Sequence, residues 1–492
     1  RARDQLPSPM VNDISAEMAE VEDLEEPHIA IVWDFKSAHR IVLVAPEDWG
    51  LQACTLVDLR GRTPEPDAVV YVNTVGTFGF SSAGYWWGRL AAMMIRDAHY
   101  FLGPELKAWI LLFADDGKIL IPIRNLRKTI PALFTFFGLF GIPIKWAKVK
   151  GGTQFQWVGY WNNLDRFRVG ISEKRQRWVI DWIESALNGT AANADFDSAL
   201  GRLTFVCGAI IYDRPFLAPL YSLAAVVRKK TGGKVDLMRL PPYIKFILMH
   251  LRERIKTRCT VHCMRGRPRT GYVIERFRTD AKAEGDHVTV GGYQTGDPYG
   301  RAIDHKDAKW FLLTLNKKNA PWAFAKGEPF RAISSLELLG SLLGVMLLLG
   351  GEGGQDSPQG GTLSVGRLSV GGLTDNAGNR FAVARLLSTK WPLVAFVAEL
   401  SAQLEAQDLL FEMSWVPREQ NTEADAITNG DVGWLNPSLK LATDMSKLPF
   451  IILNDLLVKG AVFYEGIEAV NATAAAVAPY DSRTLRVGDP WD

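Results

Sequence analysis

The alternation of short apolar runs with amphipathic stretches over residues 28–141 places the strongest constraint on the fold. The run at residues 29–33 is rich in β-branched and aromatic side chains and ends at Asp34, so it predicts a strand. Two further runs, at residues 109–114 and 119–121, flank Asp115-Asp116-Gly117, and Asp-Gly between apolar runs predicts a tight hairpin. Helical patterns alternate with these strands, at residues 82–94 and 126–139. The region therefore predicts a mixed α/β domain.

The composition limits the class of protein. The 492 residues predict about three domains at roughly 150 residues each. With 47% hydrophobic and 22% charged residues, a wholly disordered, collagenous or coiled-coil chain is excluded. Four cysteines are too few for a disulfide framework. No signal peptide or membrane-spanning segment stands out, so we expect an intracellular protein, nuclear or cytoplasmic, with no membrane partner.

Charge is distributed unevenly along the chain, although 56 basic and 54 acidic residues leave a net charge of only +2. Residues 4–34 carry only acidic charges, which predicts a solvated leader over residues 1–27. Residues 228–269 hold thirteen basic residues against two acidic ones. This segment fits a track for nucleic-acid phosphates, and a solvated basic face is the alternative. Its candidate binding residues are Arg228, Lys229, Lys230, Arg265, Arg267 and Arg269.

Three acidic residues suit phosphoryl transfer assisted by two metal ions. Asp34 follows a predicted strand, and Asp115 and Asp116 lie at the predicted hairpin tip. Two Mg²⁺ ions about 3.5–4 Å apart require carboxylates from neighbouring strands of this kind. A bare Asp-Asp-Gly is also a common turn, so the three residues alone leave both interpretations open.

The residues around these acids form a longer series. It runs Val32-Trp-Asp34-Phe-Lys-Ser-Ala38, Gly76-Thr-Phe-Gly79-Phe-Ser-Ser-Ala83 and Phe113-Ala-Asp115-Asp116. This order resembles motifs A, B and C of reverse transcriptases. The segments Trp146-Ala-Lys148 and Phe155-Gln-Trp-Val-Gly159-Tyr are similar to motif D and the primer grip. Residues 200–217 resemble the thumb and connection of retrotransposon polymerases, especially the DIRS-like group, and the resemblance covers residues 28–221.

This resemblance implies an RNA-directed DNA polymerase that takes an RNA template, a DNA primer and deoxynucleoside triphosphates, with Mg²⁺ or Mn²⁺. It implies that Asp34 and Asp115 hold both metal ions, that Asp116 assists, and that Lys148 protonates the leaving pyrophosphate. The incoming nucleotide and templating base would lie against His39, Gly79 and Ser82. The fingers of the family are missing before Asp34, and the chain starts without methionine, so we expect a fragment of a longer protein.

Four further acids follow in a second α/β pattern over residues 271–433, namely Asp280, Glu337, Asp375 and Asp425. Glu337 lies within an otherwise apolar helical pattern, where an unpaired charge is costly, so we expect it to face a metal ion or a cation. Taken singly, the others are equally compatible with a turn or a solvated helix. Their order resembles the ribonuclease H fold, which implies two Mg²⁺ ions that orient water to cut the RNA strand of an RNA–DNA hybrid.

The expected fold is α+β and has five segments. They are an acidic leader (1–27), a ferredoxin-like palm (28–165), a helical thumb with a basic connection (166–270), a ribonuclease H-like mixed sheet (271–433) and a tail (434–492). The expected function is reverse transcription with ribonuclease H activity. Two alternatives stay open: a decayed or domesticated retroelement remnant that binds nucleic acid without chemistry, and a hybrid nuclease with a vestigial palm.

Overall fold

The computed structural model describes residues 8–55, 69–77, 81–191, 196–231, 233–262, 275–297, 301–349, 368–374, 376–407 and 409–473. The chain divides into two compact units. The first comprises Arg1–Ser172 with Val261–Cys263, and the second comprises Glu173–Thr260 with Met264–Asp492. Both units combine helices with sheets, which confirms the expected fold class.

A four-stranded antiparallel sheet with two helices forms the centre of the first unit. In chain order its elements are β1 (His28–Asp34), α2 (Ser81–Leu102), β4 (Trp109–Phe113), β5 (Asp116–Pro122), α3 (Leu126–Leu139) and β6 (Lys150–Gly152). A small hairpin of β2 (Ala53–Thr55) and β3 (Val70–Val72) is inserted after β1. The strand order β4-β5-β1-β6 and the β-α-β-β-α-β connection are those of a ferredoxin-like fold, as expected for the palm.

Aromatic side chains on either side of Asp34 anchor the end of β1. The rings of Trp33 and Phe35 lie 5.7 and 5.0 Å from that of Phe137 on α3, and Phe35 also contacts Trp87 on α2. A side chain at Gly117 would come within 2.2 Å of the Trp33 ring, so glycine allows β5 to approach β1 closely there. Burial of these large rings fixes the position of the backbone that carries Asp34.

The hairpin between β4 and β5 is present, but its turn lies earlier than Asp116-Gly117. Phe113 pairs with Asp116, so Ala114 and Asp115 form the turn, and Ala114 has a φ of +50°. Trp87 holds this turn by donating its indole N–H to the Ala114 carbonyl oxygen at 2.9 Å. Asp115 is therefore at the tip, and Asp116 is the first residue of β5.

The expectation of a solvated acidic leader is wrong for residues 11–23, which form helix α1 (Val11–Asp23). Its residues Ile14, Met18 and Val21 are buried, as is the carboxylate-bearing Glu17. Their spacing forms an apolar stripe along one face of the helix, which the many acidic residues on the other faces concealed in the sequence.

A second small sheet belongs mainly to the first unit. It contains β7 (Gln154–Trp157), β8 (Tyr160–Asn163), β9 (Arg168–Ile171) and β10 (Thr260–His262), in the order β10-β9-β8-β7. Phe155 and Trp157 of β7 are buried, while Gln154 and Gln156 are exposed. This alternation places the two aromatic rings on the inner face of the strand.

The second unit begins with a group of helices, α4 (Glu173–Leu187), α5 (Phe196–Ala209), α6 (Ala218–Thr231) and α7 (Pro242–Thr257). Helix α4 buries Val179, Trp182, Ile183 and Ala186, and Gly189, with a φ of +69°, follows its C-terminus. A short helical turn, Ile211–Leu217, connects α5 to α6.

A five-stranded mixed sheet forms the rest of the second unit. Its strands are β11 (Glu275–Glu284), β12 (His287–Gln294), β13 (Trp310–Leu315), β14 (Leu368–Thr374) and β15 (Leu409–Trp415), in the order β13-β12-β11-β14-β15. The first three strands are antiparallel, and β14 runs parallel to both β11 and β15. The helices are α8 (Pro321–Phe324), α9 (Ile333–Leu343), α10 (Ala377–Arg385), α11 (Leu393–Ala406), α12 (Thr422–Thr428) and α13 (Leu453–Thr473). This arrangement confirms the ribonuclease H-like mixed sheet.

The C-terminal segment, which has no recognisable motif, forms a docked helix. Helix α13 packs against α6, α7 and α11. The fully buried carboxylate of Glu399 on α11 accepts 2.8 Å hydrogen bonds from the backbone N–H groups of Ile451, Ile452 and Leu453. It therefore satisfies donors at the start of α13 that the helix itself leaves open.

One segment of the described chain, Pro329–Leu348, is long and apolar enough to cross a membrane by length and composition. Most of it is buried inside the unit. It includes α9, which packs against β11.

Candidate functional site

The structure brings the first set of predicted acids to one edge of the palm sheet. Asp34, the last residue of β1, pairs directly with Asp116, the first residue of β5. The Phe35 N–H donates to the Asp115 carbonyl oxygen at 2.9 Å, which ties the residue after Asp34 to the hairpin turn. Three carboxylates from two neighbouring strands therefore lie at the same end of the sheet.

Two lysines face these carboxylates. The Lys148 ammonium donates a hydrogen bond to Asp34, and Lys145 Nζ lies 4.0 Å from the other carboxylate oxygen. The bond to Asp34 raises the pKa of Lys148, so its ammonium stays protonated at neutral pH. Burial, followed by the charges of Asp115 and Asp34, raises the pKa of Asp116. Lys148 was predicted from the sequence, whereas Lys145, three residues earlier, was not.

Within the described ranges, no group of three or more His, Cys, Asp and Glu side chains is placed to hold a metal ion. The donors at the palm edge nevertheless suit one, because hard carboxylate oxygens are the ligands that Mg²⁺ prefers. The mutual repulsion that raises the Asp116 pKa is also what a divalent cation would relieve. Here the lysine ammonium on Asp34 supplies part of that compensation.

A cavity of about 570 Å³ lies in the first unit, beside two of the residues expected to contact the nucleotide or template. Ser82 lines it together with Trp86 and Arg89 of α2. His39 lies in the helical turn Ala38–Ile41, and a side chain at Gly76, another lining residue, would come within 2.4 Å of the His39 carbonyl oxygen. Gly79 lies outside the described residues.

Three of the four acids predicted for the second site can be placed. Asp280 is buried in the middle of β11, and Thr428 on α12 hydrogen-bonds its carboxylate at 3.3 Å. Asp425 lies one turn before Thr428, and its carboxylate is 2.8 Å from the Asn429 amide and 3.4 Å from the Arg418 guanidinium. Helix α12 thus lies directly on the strand that carries Asp280.

Glu337 belongs to the same region of the sheet. Its carboxylate is 3.5 Å from the hydroxyl of Thr374, the last residue of β14. Ser341, one turn further along α9, lies 3.5 Å from Thr279, the neighbour of Asp280. Asp375, which follows Thr374, lies outside the described residues. The structure therefore places Asp280 on β11, and Glu337 and Asp425 on two helices, α9 and α12, that each pack against β11.

The basic segment can be located only in part. Arg228, Lys229 and Lys230 form the last turn of α6, and Arg228 is paired with Asp197 on α5. Arg265, Arg267 and Arg269 lie outside the described residues.

A second basic surface, on α4 and α5, was missed by the sequence analysis. The Arg175 guanidinium lies 4.8 Å from the Phe205 ring centroid, and that of Arg202 lies 4.1 Å from the Trp178 ring centroid. Each helix contributes one arginine and one aromatic ring, three residues apart. We call these four residues the α4–α5 surface. Arginine and aromatic spacing on predicted helices is a signal that could have found it.

No known protein family matches this chain. No curated protein matches it either. Among solved structures, it is similar to a foamy viral protease-reverse transcriptase in complex with an RNA/DNA hybrid, at 11% identity and a TM-score of 0.39. The similarity covers 78% of this chain and 44% of that one, so this chain spans less than half the length of the viral protein. At this TM-score the similarity supports no conclusion about function.

Proposed function

We propose that this chain is an RNA-directed DNA polymerase followed by a ribonuclease H, acting on an RNA template, a DNA primer and the hybrid that they form. The observation that carries the proposal is the pairing of Asp34 with Asp116, next to Asp115, at one edge of a ferredoxin-like sheet. Two adjacent strands that end in carboxylates are the arrangement that two-metal nucleotidyl transfer requires.

In this proposal Asp34 and Asp115 hold Mg²⁺ and Asp116 supports them. When bound, the metal supplies Lewis-acid activation of the primer hydroxyl and charge compensation on the phosphates. Lys148 keeps its proton while it is bonded to Asp34, and in the proposed reaction it would give that proton to the departing pyrophosphate. Lys145 adds a positive charge beside the same phosphates.

The second site is proposed to cut the RNA strand of the hybrid, with Asp280, Glu337, Asp375 and Asp425 as the acids that hold Mg²⁺. Thr428 and Asn429 orient Asp280 and Asp425 by hydrogen bonds, so α12 holds both carboxylates towards one side of β11. Glu337 is the test residue, because its carboxylate lies 3.5 Å from the hydroxyl of Thr374, the residue before Asp375.

Glu337→Gln is expected to reduce cleavage of an RNA–DNA hybrid at least 100-fold and to leave primer extension unchanged. The amide keeps the shape of the side chain and removes the charge, and a factor of 100 corresponds to about 2.7 kcal/mol of lost transition-state stabilisation. Gel assays of both reactions on one preparation measure the effect. Glu328→Gln, on the loop before α9, is the matched control. Cleavage by Glu337→Gln at the wild-type rate would refute the assignment.

The α4–α5 surface is proposed to contact the hybrid backbone and bases. Replacing both Arg175 and Arg202 by Ala is expected to weaken hybrid binding. The logarithm of the binding constant should also fall less steeply with the logarithm of the salt concentration. Each lost phosphate contact reduces the magnitude of this slope by about 0.9, so we expect a reduction of about 2. Fluorescence anisotropy at several salt concentrations measures this slope. Lys447→Ala, at an exposed lysine, is the control. An unchanged slope in the double variant would remove this surface from the binding site.

One observation favours a second candidate, a nucleic-acid-binding protein without catalysis. Lys148 already neutralises Asp34, which weakens the need of that carboxylate for a metal ion. This candidate predicts steeply salt-dependent hybrid binding with no primer extension and no cleavage at any Mg²⁺ or Mn²⁺ concentration. Extension by the wild-type chain would exclude it.

A further inference from the structure

Lys118 is fully buried in the first unit, which is unusual for a lysine. It lies on β5 two residues after Asp116, and so on the same face of the strand. Its ammonium forms an ion pair with Glu17 of α1, whose side chain is also buried. The helix predicted to be a solvated leader therefore contributes a charge to the interior beneath the hairpin.

Two aromatic rings of β7 complete the environment of this lysine. The ammonium lies 5.0 Å from the Trp157 ring centroid and 5.9 Å from that of Phe155, distances at which a cation is attracted to a ring face. Trp157 in turn donates its indole N–H to the Asp116 carbonyl oxygen at 3.2 Å. Contacts from α1 and β7 thus converge on the first three residues of β5.

A buried ion pair is poorly explained by stability alone. Removing two charges from water costs several kcal/mol, and apolar residues of similar size are often as stable or more so. The ion pair does, however, have a defined geometry. It fixes Lys118 between Glu17 and the two rings. Apolar contacts in the same space are non-directional and would set the position of this side chain less closely.

We propose that Glu17 and Lys118 are positioning residues that, with Trp157, hold Asp116 in place opposite Asp34. The consequence for catalysis rests on the proposed polymerase function, whereas the consequence for the hairpin does not. Helix α1 is then part of the candidate active site, although it contributes no group to the chemistry.

The test compares Lys118→Met with the double variant Glu17→Met/Lys118→Met. The single variant leaves the Glu17 carboxylate buried without its lysine and is expected to lower the melting temperature. The double variant removes both charges and is expected to recover it. Lys107→Met is the matched control, because it removes an exposed ion pair with Glu26 in the same unit.

Two measurements on the stable double variant separate positioning from a merely structural role. The first is primer extension, where kcat is expected to fall at least 10-fold with KM for the nucleotide changed less than 2-fold. The second is amide hydrogen exchange, expected to accelerate at least 10-fold at Asp116 and Gly117 and to stay unchanged in β4. Lys118→Arg in the wild-type background keeps the positive charge. It is expected to keep most of the wild-type kcat and most of the wild-type protection from exchange at Asp116 and Gly117.

The outcomes distinguish the inference from the proposed function. A double variant with wild-type melting temperature, wild-type kcat and wild-type exchange would overturn the inference and leave the polymerase intact. If the wild-type chain shows no extension, the proposed function fails, and exchange at Asp116 and Gly117 still decides whether the pair positions the hairpin. Accelerated exchange would support positioning, and unchanged exchange would overturn it.

Discussion

Asp115→Asn is expected to reduce primer extension on an RNA template by about 1,000-fold or more, while hybrid cleavage continues at the wild-type rate. Asp115 lies at the hairpin tip beside the paired Asp34 and Asp116, and asparagine keeps its size while removing its charge. Loss of about 4 kcal/mol of charge stabilisation in the transition state corresponds to a rate that is about 1,000-fold lower. Single-turnover extension with saturating Mg²⁺ measures the effect.

Asp165→Asn provides the matched control, since Asp165 is an exposed aspartate of the same unit that bonds only to nearby polar groups in the described structure. It is expected to extend primers at the wild-type rate. Undiminished extension by Asp115→Asn would remove this residue from the mechanism. Loss of both extension and cleavage would instead indicate a folding defect, which circular dichroism would detect.

Arg254→Met is expected to lower the free energy of unfolding by about 3–5 kcal/mol at pH 8, because it removes the guanidinium bonded to the buried carboxylate of Asp213, while Glu405 keeps its ion pair with Arg258. Arg254 on α7 donates hydrogen bonds to Asp213, in the turn between α5 and α6, and to Glu405 on α11. The side chains of Asp213 and Glu405 are only 3% and 9% exposed. Urea denaturation at fixed pH measures the change.

The pH dependence gives this prediction a direction. Burial raises the pKa of Asp213 from 3.8 to about 6, against the opposing charge of Arg254. An acid with a raised pKa in the folded state contributes stability that is fully present below pH 3.8 and is lost as the pH rises through about 6. Removing Arg254 raises this pKa further. The difference in stability between variant and wild type is therefore expected to widen from pH 4 to pH 8.

Arg252→Met is the control on the same helix. Arg252 pairs with Glu184 and Glu253, which are largely exposed, so its removal is expected to change the stability by less than about 1 kcal/mol. Equal losses for the two arginine variants, or a loss in Arg254→Met that does not depend on pH, would contradict the role assigned to the buried network.

The sequence predicted the elements whose pattern is local. The strand before Asp34, the hairpin around Asp115 and helix α3 have strand or helix periodicity within a few residues, and all are present. The five-stranded sheet was predicted differently, because the order of four acidic residues in residues 271–433 resembles that of the ribonuclease H fold. The exact turn, Ala114-Asp115, was missed because the left-handed conformation of Ala114 depends on tertiary contacts such as that with Trp87.

The features that were missed depend on distant partners. Glu17 is one acid among many in its segment, and only its contact with Lys118, 101 residues away, distinguishes it. Arg175 and Trp178 became part of a surface only when α5 brought Phe205 and Arg202 beside them. The arginine and aromatic spacing within each helix is visible in the sequence, but tertiary packing decides which side chains pair across elements.

The capping of α13 by Glu399 has a consequence for any shortened form of this protein. A product trimmed before Ile451 would leave a carboxylate stranded in an apolar interior, with Gln403 as its one remaining hydrogen-bond donor among those described here. Deletion of α13 should therefore damage the second unit as severely as a core mutation, and Glu399→Gln or Glu399→Leu should partly rescue the trimmed product. Expression boundaries for the isolated second unit need to include α13 through Thr473.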